Sequence, residues 1–275
     1  MPLRNPFKRL EELLKKIRIL LHPGQGVPEG ISLEELQSMI QKSENAIEII
    51  KKGYVSIAYS SMTMDDVERL FGISKQPIPM DFPSWEIPIP QTLAEDLEHL
   101  DTVTDGSLEN EALARARINI ILQAVLKARK PFAPPQARTL LLGFETPMSI
   151  TLSQMVVTSG EADYSLWYTS HNDRAHQLIV VEAKKARHVT SGLPQLLGYM
   201  GAVQVARRTA QKPNIAVFGV LTDAYQWDFV RLHNDGKYSL ITFRWNAGQS
   251  QKIWDILNWM VACAEVQSPL GSEVS

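Results

Sequence analysis

The stretch Ile179-Val180-Val181-Glu182-Ala183-Lys184-Lys185 decides the fold, because a run of branched apolar residues ends abruptly in charge. Short apolar runs of this kind are typical of strands buried on both faces of a sheet. Side chains alternate along a strand, so Glu182 and Lys184 lie on one face and the Ala183 carbonyl lies free at the strand end. The sequence therefore predicts a buried strand that brings a carboxylate, an ammonium group and a carbonyl oxygen together.

The segments around this strand predict an α/β domain. Apolar spacing predicts helices over 110–130, 192–210 and 252–264, and strands over 149–157, 162–168, 177–182, 215–221, 226–232 and 238–243. Asn234-Asp235-Gly236 is a strong hairpin signal that leads into the last of these strands. The order is helix, three strands, helix, strand, hairpin strands and helix, which predicts a central mixed sheet flanked by helices.

The first hundred residues are expected to form a helical extension. Spacing predicts an amphipathic helix with a basic face over 8–20, a helix with a capping box from Ser32 to about Lys52, and a short helix over 65–70. Five prolines between residues 77 and 90 predict an ordered connector. We place the boundary near residue 100, with an extension over 1–100, an α/β domain over 101–268 and a flexible tail over 269–275.

The net charge conceals an uneven distribution. The formal value is -2, yet seven acidic residues and no lysine or arginine occupy Glu95 to Glu111, while six lysines or arginines and no acid occupy Lys184 to Lys212. A local basic stretch favours contact with phosphates, and a solvated surface is the alternative interpretation. The candidates for nucleic-acid contact are the basic residues on and after the site strand: Lys185, Arg187, His188, Arg207 and Arg208.

The cellular compartment is indicated by cysteine use and by the beginning of the chain. The single cysteine, Cys263, excludes an intrachain disulfide framework and suits a reducing compartment. The opening 21 residues mix acidic and basic side chains, which argues against an export signal or an acid-poor transit peptide. No apolar run approaches the roughly 18 residues of a membrane span. We expect an intracellular protein, cytoplasmic or nuclear, with no membrane partner.

A second carboxylate is predicted to lie beside Glu182. Asp163 lies nineteen residues earlier, at the start of a strand preceded by Ser159-Gly160, so hairpin pairing would bring the two carboxylates side by side. Two carboxylates and a carbonyl are hard oxygen ligands of the kind that magnesium accepts. Lys184 can orient or deprotonate an attacking water, or offset charge that develops on a phosphate. This set predicts phosphodiester hydrolysis.

These residues resemble the motifs of the PD-(D/E)XK, or restriction-endonuclease-like, nuclease superfamily. Asp163 comes first, Glu182-Ala183-Lys184 follows, and Gln195 and Tyr199 lie on the next helix. The Glu-x-Lys and Gln-x-x-x-Tyr elements match the branch that includes many DNA-repair exonucleases. Ala162 stands where the family name has proline, a position that the family keeps loosely. The resemblance covers residues 107–245 and includes the order of elements.

The resemblance implies a nuclease core of the order αβββαβ, one or two magnesium ions with manganese as a substitute, and cleavage of DNA or, less often, RNA. By position, Asp163, Glu182 and the Ala183 backbone carbonyl would bind the metal. Lys184 would assist the water, and Gln195 would steady the site or contact the phosphate. Family members often add a glutamate from the first core helix, and Glu111 is the candidate for it.

Several alternatives stay open from the residues alone. Glu111 could instead be a solvated carboxylate that favours a helix N-terminus, with Glu109 a weaker candidate for the ligand. Glu161 could share the face of Asp163, whereas Tyr199 is expected to pack in the core. The whole domain could be an inactive nuclease-like module that binds nucleic acid or protein, or a nuclease-type toxin or effector. The N-terminal helices could serve a protein partner or a homo-oligomer.

Overall fold

The computed structural model describes residues 41, 55–78, 80–85, 87–104, 110–132, 140–153, 156–168, 177–185 and 188–266. The predicted helix over 8–20, the tail over 269–275 and nearly all of the predicted helix from Ser32 lie outside these residues. The chain divides into two compact units, one of Met1–Ile57 with Thr151–Thr158 and one of Ala58–Ile150 with Ser159–Ser275. Every candidate site residue belongs to the second, larger unit.

The helices and strands of the described residues have the following bounds. The helices are α1 (Met64–Phe71), α2 (Gln91–Val103), α3 (Glu111–Arg129), α4 (Leu193–Thr209) and α5 (Ser250–Val266). The strands are β1 (Val55–Ala58), β2 (Ser74–Lys75), β3 (Leu140–Ser153), β4 (Val156–Tyr168), β5 (Gln177–Ala183), β6 (Val217–Thr222), β7 (Gln226–Leu232) and β8 (Lys237–Arg244). From α3 to α5, their order is the one that the sequence predicts.

The strands form a mixed sheet. The hydrogen-bonded order is β1-β4-β5-β6-β7-β8-β2, and β3 pairs with β4. Strand β5 is antiparallel to β4 and parallel to β6, while β6, β7 and β8 are successively antiparallel. The predicted hairpin joins β7 to β8, with Gly236 at a positive φ of 82° in the turn. The predicted α/β class, with a central mixed sheet flanked by helices, is confirmed.

Helices cover the two faces of the sheet in the larger unit. Helices α2, α3 and α5 bury their apolar side chains with Val181 and Val220 in one hydrophobic cluster. Helix α4 packs on the opposite face. There Gly219, the β6 residue before Val220, leaves room for Leu196 and Met200. Because side chains alternate along β5, Glu182 points away from the cluster that contains Val181 and Ala183. The candidate site therefore lies on the face that α4 covers.

Two segments differ from the predicted elements. The single strand predicted over 149–157 is in fact the end of β3 and the beginning of β4. Strand β3 begins as early as Leu140 and contains Pro147, a residue that argues against a central strand but is tolerated in an edge strand. Helix α2 occupies part of the acidic stretch and was not predicted, although Leu93 and Leu97 lie one turn apart and are both buried.

The segment from residue 58 to residue 100 shares the larger compact unit, whereas the sequence placed a boundary near residue 100. Tyr59 and Val67 are fully buried, and Leu93 is 1% exposed. Phe71 and the α4 residue Gly201 pack closely enough for α1 to lie against α4. These contacts join distant parts of the chain, so periodicity could not reveal them. No helix among the described residues is long and apolar enough to cross a membrane.

Replacing Gly201 with alanine tests this packing of α1 on α4. A β-carbon at Gly201 would lie 2.6 Å from Cδ1 and 2.7 Å from Cγ of Phe71. We expect Gly201→Ala to lower the free energy of unfolding by about 1–3 kcal/mol, because the added methyl group overpacks the contact with α1. Glycine to alanine inside a helix otherwise raises stability by up to about 1 kcal/mol. Urea unfolding measures the change, and the loss should largely disappear in a Phe71→Ala background.

Candidate active site

The pairing of β4 with β5 places Asp163 beside Glu182. In the antiparallel register Tyr164 lies opposite Val181, and one further step sets Asp163 opposite Glu182. The Ala183 backbone N–H donates a hydrogen bond of 2.7 Å to Asp163 Oδ2. This bond fixes one carboxylate oxygen at the point where β5 ends. The structure thus brings together the two carboxylates that the sequence placed on neighbouring strands.

Lys184 connects Glu182 to helix α4. Its ammonium group donates hydrogen bonds of 2.8 Å to Glu182 Oε1 and 2.9 Å to Gln195 Oε1. Gln195 Nε2 donates in turn to the hydroxyl of Tyr199, one helical turn further on, at 3.1 Å. The Tyr199 hydroxyl donates to the backbone carbonyl of Glu161 at 2.7 Å. A continuous chain of hydrogen bonds therefore runs from the β5 carboxylate, through α4, back to β4.

Local backbone geometry lets Lys184 lie along the beginning of α4. The Lys184 N–H donates to the Thr222 carbonyl of β6 at 2.8 Å, which holds the residue at the end of the sheet. Gly192, immediately before α4, is buried, and a β-carbon there would lie 2.7 Å from Lys184 Cε. Any larger residue would compete with the lysine side chain for this space. The glycine therefore contributes to the position of the ammonium group.

Glu182 is a buried carboxyl whose charge is costly. Burial, followed by the neighbouring charge of Asp163, raises its pKa from 4.5 to about 7, against the opposing effect of Lys184. Burial also raises the pKa of Asp163, although the Ala183 N–H and the Arg115 guanidinium oppose the change. Glu182 Oε2 is buried without a hydrogen-bond partner among the described residues. An oxygen in this position lacks the positive charge or donor that would stabilise its ionised form.

Arg115 of α3 is a site residue that the sequence analysis missed. Its Nη2 lies 2.6 Å from Asp163 Oδ1 and 3.1 Å from Glu111 Oε1. Its Nη1 lies 3.8 Å from Glu145 Oε1 on β3. The one sequence signal was the spacing of Glu111 and Arg115, four residues apart on a predicted helix, which favours an ion pair. Glu111 therefore lies close to the site, paired with an arginine.

The donor set fits a hard divalent cation, as judged by the unpartnered Glu182 oxygen. Asp163 and Glu182 place two carboxylates at the end of β5, beside the backbone of Ala183. Within the described part of the chain, no three aspartate, glutamate, histidine or cysteine side chains form a group that could hold a metal. Carboxylate and carbonyl oxygens are hard ligands of the kind that magnesium accepts together with several waters.

The basic residues predicted to contact nucleic acid separate into different environments. Lys185, which follows Lys184, and His188, five residues after the end of β5, are both exposed. Arg208 is also exposed, but it lies about 20 Å along α4 from Gln195, given roughly 1.5 Å per residue. Arg187 lies outside the described residues. Among the described residues, the exposed candidates for phosphate contact are therefore Lys185 and His188 after β5 and the distant Arg208.

The assignment of Arg207 to this set is corrected by the structure. The residue is 2% exposed, and its guanidinium donates to the backbone carbonyl of Ala216. Burial lowers the pKa of Arg207 to about 10. The acid-free charge pattern suggested a surface residue, but the phase of α4 turns Arg207 towards the sheet. It ties the end of α4 to the start of β6 and cannot reach a phosphate in this position.

Glu161 and Tyr199 have structural roles close to the site. The Glu161 side chain is exposed, and only its backbone carbonyl enters the hydrogen-bond chain. Tyr199 is 1% exposed, and its ring centroid lies 4.5 Å from that of Tyr59. Burial raises the pKa of the Tyr199 hydroxyl, which keeps it a hydrogen-bond donor. The prediction that Tyr199 packs in the core is confirmed.

A cavity of about 560 Å³ lies beside α2 and α3, away from these residues. Its lining includes Arg117, which pairs with Asp101 and stacks on Tyr225, and the partly exposed Trp245. Neither Asp163 nor the residues of the Lys184 hydrogen-bond chain line it. The carboxylates instead lie at the end of β5, on the face that α4 covers.

Comparison with known proteins adds no family assignment. No protein-family model matches the chain, and no curated protein is significantly similar to it. A function for this chain therefore depends on the geometry of Asp163, Glu182 and Lys184.

The raised pKa of Glu182 predicts a specific dependence of stability on pH. Between pH 4.5 and 7 the folded carboxyl keeps a proton that the unfolded chain has released, so rising pH destabilises the fold across this window. Glu182→Gln removes the ionisation. In EDTA, we expect the free energy of unfolding of Glu182→Gln, relative to that of wild type, to rise by up to about 3 kcal/mol from pH 4.5 to 7. Parallel stability curves from urea unfolding would contradict the pKa shift.

Proposed function

We propose that this chain is a metal-dependent phosphodiesterase, a nuclease with a restriction-endonuclease-like core that hydrolyses DNA in preference to RNA. The observation that carries the proposal is the meeting of Asp163, Glu182 and Lys184 at the end of β5. Each group has the chemistry that phosphodiester hydrolysis requires, and the β4–β5 register holds them together. The order of elements from α3 to α5 supports the same proposal.

Two carboxylates and a carbonyl would hold the metal. Asp163, Glu182 and the Ala183 carbonyl are hard oxygen ligands for magnesium, and manganese would bind the same set. When bound, the ion would activate water and stabilise charge on the attacked phosphate. The unpartnered Glu182 oxygen supports this role, because a cation would satisfy a buried atom that lacks a donor. The cation would also relieve the repulsion that contributes to the raised pKa of Glu182.

Lys184 is the proposed catalytic residue among the basic groups. Its ammonium lies 2.8 Å from Glu182 Oε1, so it is next to the proposed ligands. A positive charge there would stabilise negative charge as it develops on the phosphate, and the group could orient the attacking water. Gln195 is a positioning residue, because it holds Lys184 on one side and Tyr199 on the other.

The exposed basic residues that follow β5 fit a polyanionic substrate. Lys185 and His188 follow β5 and are exposed, as contacts with the phosphates of an extended chain require. The described cavity is lined by neither Asp163 nor Lys184, so the proposed substrate is an extended polymer and not a small ligand enclosed in that cavity. DNA is favoured by the resemblance of the Glu-x-Lys and Gln-x-x-x-Tyr elements to DNA-repair exonucleases.

A second candidate is an inactive nuclease-like module that binds nucleic acid or protein. The Asp163–Arg115 ion pair of 2.6 Å favours it, because the chain itself supplies a cation to that carboxylate. Lys184 likewise neutralises Glu182. A module that had lost its metal could keep the fold through these pairs. Metal-dependent cleavage distinguishes the two candidates.

Cleavage assays test the proposed enzyme directly. Plasmid, single-stranded DNA and RNA are incubated with the purified chain in magnesium or in EDTA. We expect magnesium-dependent cleavage, and a loss of at least about 100-fold in rate for Asp163→Asn, Glu182→Gln or Lys184→Met, because each removes a group that acts on the reacting atoms. Lys237→Met is the matched charge control.

The control residue lies at the opposite end of the sheet. Lys237 begins β8 next to the turn after β7, and β7 ends opposite Val217, where β6 begins. Ala183 instead pairs with Thr222, where β6 ends. Binding of nucleic acid without magnesium-dependent cleavage of any substrate would replace the enzyme with the inactive module.

Salt dependence of binding tests the proposed phosphate contact of Lys185. Each phosphate neutralised by a lysine releases counterions, so the affinity falls as salt rises. In a cleavage-deficient Lys184→Met background, we expect Lys185→Ala to weaken DNA binding most at low salt and to reduce the slope of log affinity against log salt by about 1. Fluorescence anisotropy at several salt concentrations measures it, with Lys237→Ala as the control. An unchanged slope would remove Lys185 from the binding surface.

A further inference from the structure

One guanidinium contacts three carboxylates at the candidate site. Arg115 lies 2.6 Å from Asp163 on β4, 3.1 Å from Glu111 on its own helix and 3.8 Å from Glu145 on β3. Its own side chain is 38% exposed, that of Asp163 is 10% exposed and that of Glu145 is 74% exposed. The arginine therefore lies between a buried carboxylate at the site and an exposed one towards solvent.

The contacts of Asp163 leave little room for a second cation. Its Oδ2 accepts from the Ala183 N–H and its Oδ1 lies 2.6 Å from Arg115 Nη2 in an ion pair, so both oxygens are engaged. A divalent ion on Asp163 would lie within a few ångströms of the guanidinium, and two cations at that separation repel strongly in a partly buried site. The Arg115 guanidinium and a metal ion would therefore compete for the negative charge of the Asp163 carboxylate.

Arg115 can leave Asp163 without leaving the site. Its backbone is fixed, because the Tyr164 hydroxyl donates to the Arg115 carbonyl at 3.1 Å. Its side chain is half-exposed and already contacts Glu111 and Glu145, which would keep the guanidinium nearby after release. A guanidinium also matches the two oxygens of a phosphate as well as those of a carboxylate.

We propose that Arg115 exchanges partners when a divalent cation binds. In the metal-free chain it neutralises Asp163, and in the metal-bound chain it is released to the substrate, where it contacts a phosphate of the nucleic acid. The inference rests on the proposed function, since it assigns Arg115 to the metal and phosphate of that same site. It makes Arg115 a phosphate-binding residue whose availability depends on the metal, and it gives a role to the side chain of α3 that reaches Asp163 on β4.

Metal titration in the absence of nucleic acid tests the exchange. Manganese binding to the full chain is measured by calorimetry for wild type, Arg115→Met and Arg69→Met. We expect Arg115→Met to bind manganese about tenfold more tightly than wild type, since no internal cation has to be displaced. Arg69 is an exposed helix arginine paired with Asp66, so Arg69→Met should leave the affinity unchanged. Arg115→Lys, which keeps the charge, should fall between wild type and Arg115→Met and serves if the methionine variant does not fold.

DNA binding supplies the second measurement. In a cleavage-deficient Lys184→Met background, Arg115→Met should weaken the binding of a DNA oligonucleotide severalfold in saturating manganese. In EDTA the same substitution should have little effect, because the arginine is then held by Asp163. A purely structural role for Arg115 would weaken binding equally in both conditions, and that result would overturn the exchange.

The outcomes separate this inference from the proposed function. Equal manganese affinity in wild type and Arg115→Met, together with magnesium-dependent cleavage by wild type, overturns the exchange and leaves the nuclease standing. Absence of both manganese binding and cleavage in every variant overturns the nuclease and the exchange together. Tighter manganese binding by Arg115→Met with metal-dependent loss of DNA affinity supports both.

Discussion

The antiparallel register between β4 and β5 is the constraint on which the candidate site depends. A shift of one residue would send Asp163 to the opposite face of its strand and separate it from Glu182. The register is held by packing on the other face, where Tyr164 and Leu166 of β4 are buried with Val181 of β5. Hydrophobic burial on one side of the sheet therefore determines the geometry of the charged groups on the other.

The charged groups impose a cost that the surrounding residues partly offset. Two neighbouring carboxyls lose hydration on folding, and the pKa of each is raised for that reason. Lys184 and Arg115 each place a positive charge on one carboxyl. The compensation is incomplete, since one Glu182 oxygen keeps no hydrogen-bond partner among the described residues. Incomplete compensation of this kind is expected where a site is arranged for a ligand and not for stability alone.

Local rules were enough to find the central residues of the site, and they failed where distant segments meet. Alternation within one strand placed Glu182 and Lys184 on a common face, and a hairpin argument placed Asp163 opposite them. Arg115 depends on how α3 docks against β4, a contact across 48 residues of chain that no periodicity encodes. Arg207 shows the converse error, because a basic sequence environment suggested exposure while the helix phase buries the side chain.

The two faces of β5 allow the fold and the chemistry to vary independently. Along β5, Val181 and Ala183 contribute to the cluster with α3 and α5, whereas Glu182 contacts Lys184. Substitutions of the charged residues therefore leave the larger hydrophobic cluster intact and change a small network that includes α4. Lys184 and Arg115 each bring a positive charge to one of the two carboxylates, so the chain's own residues partly offset the cost of burying them.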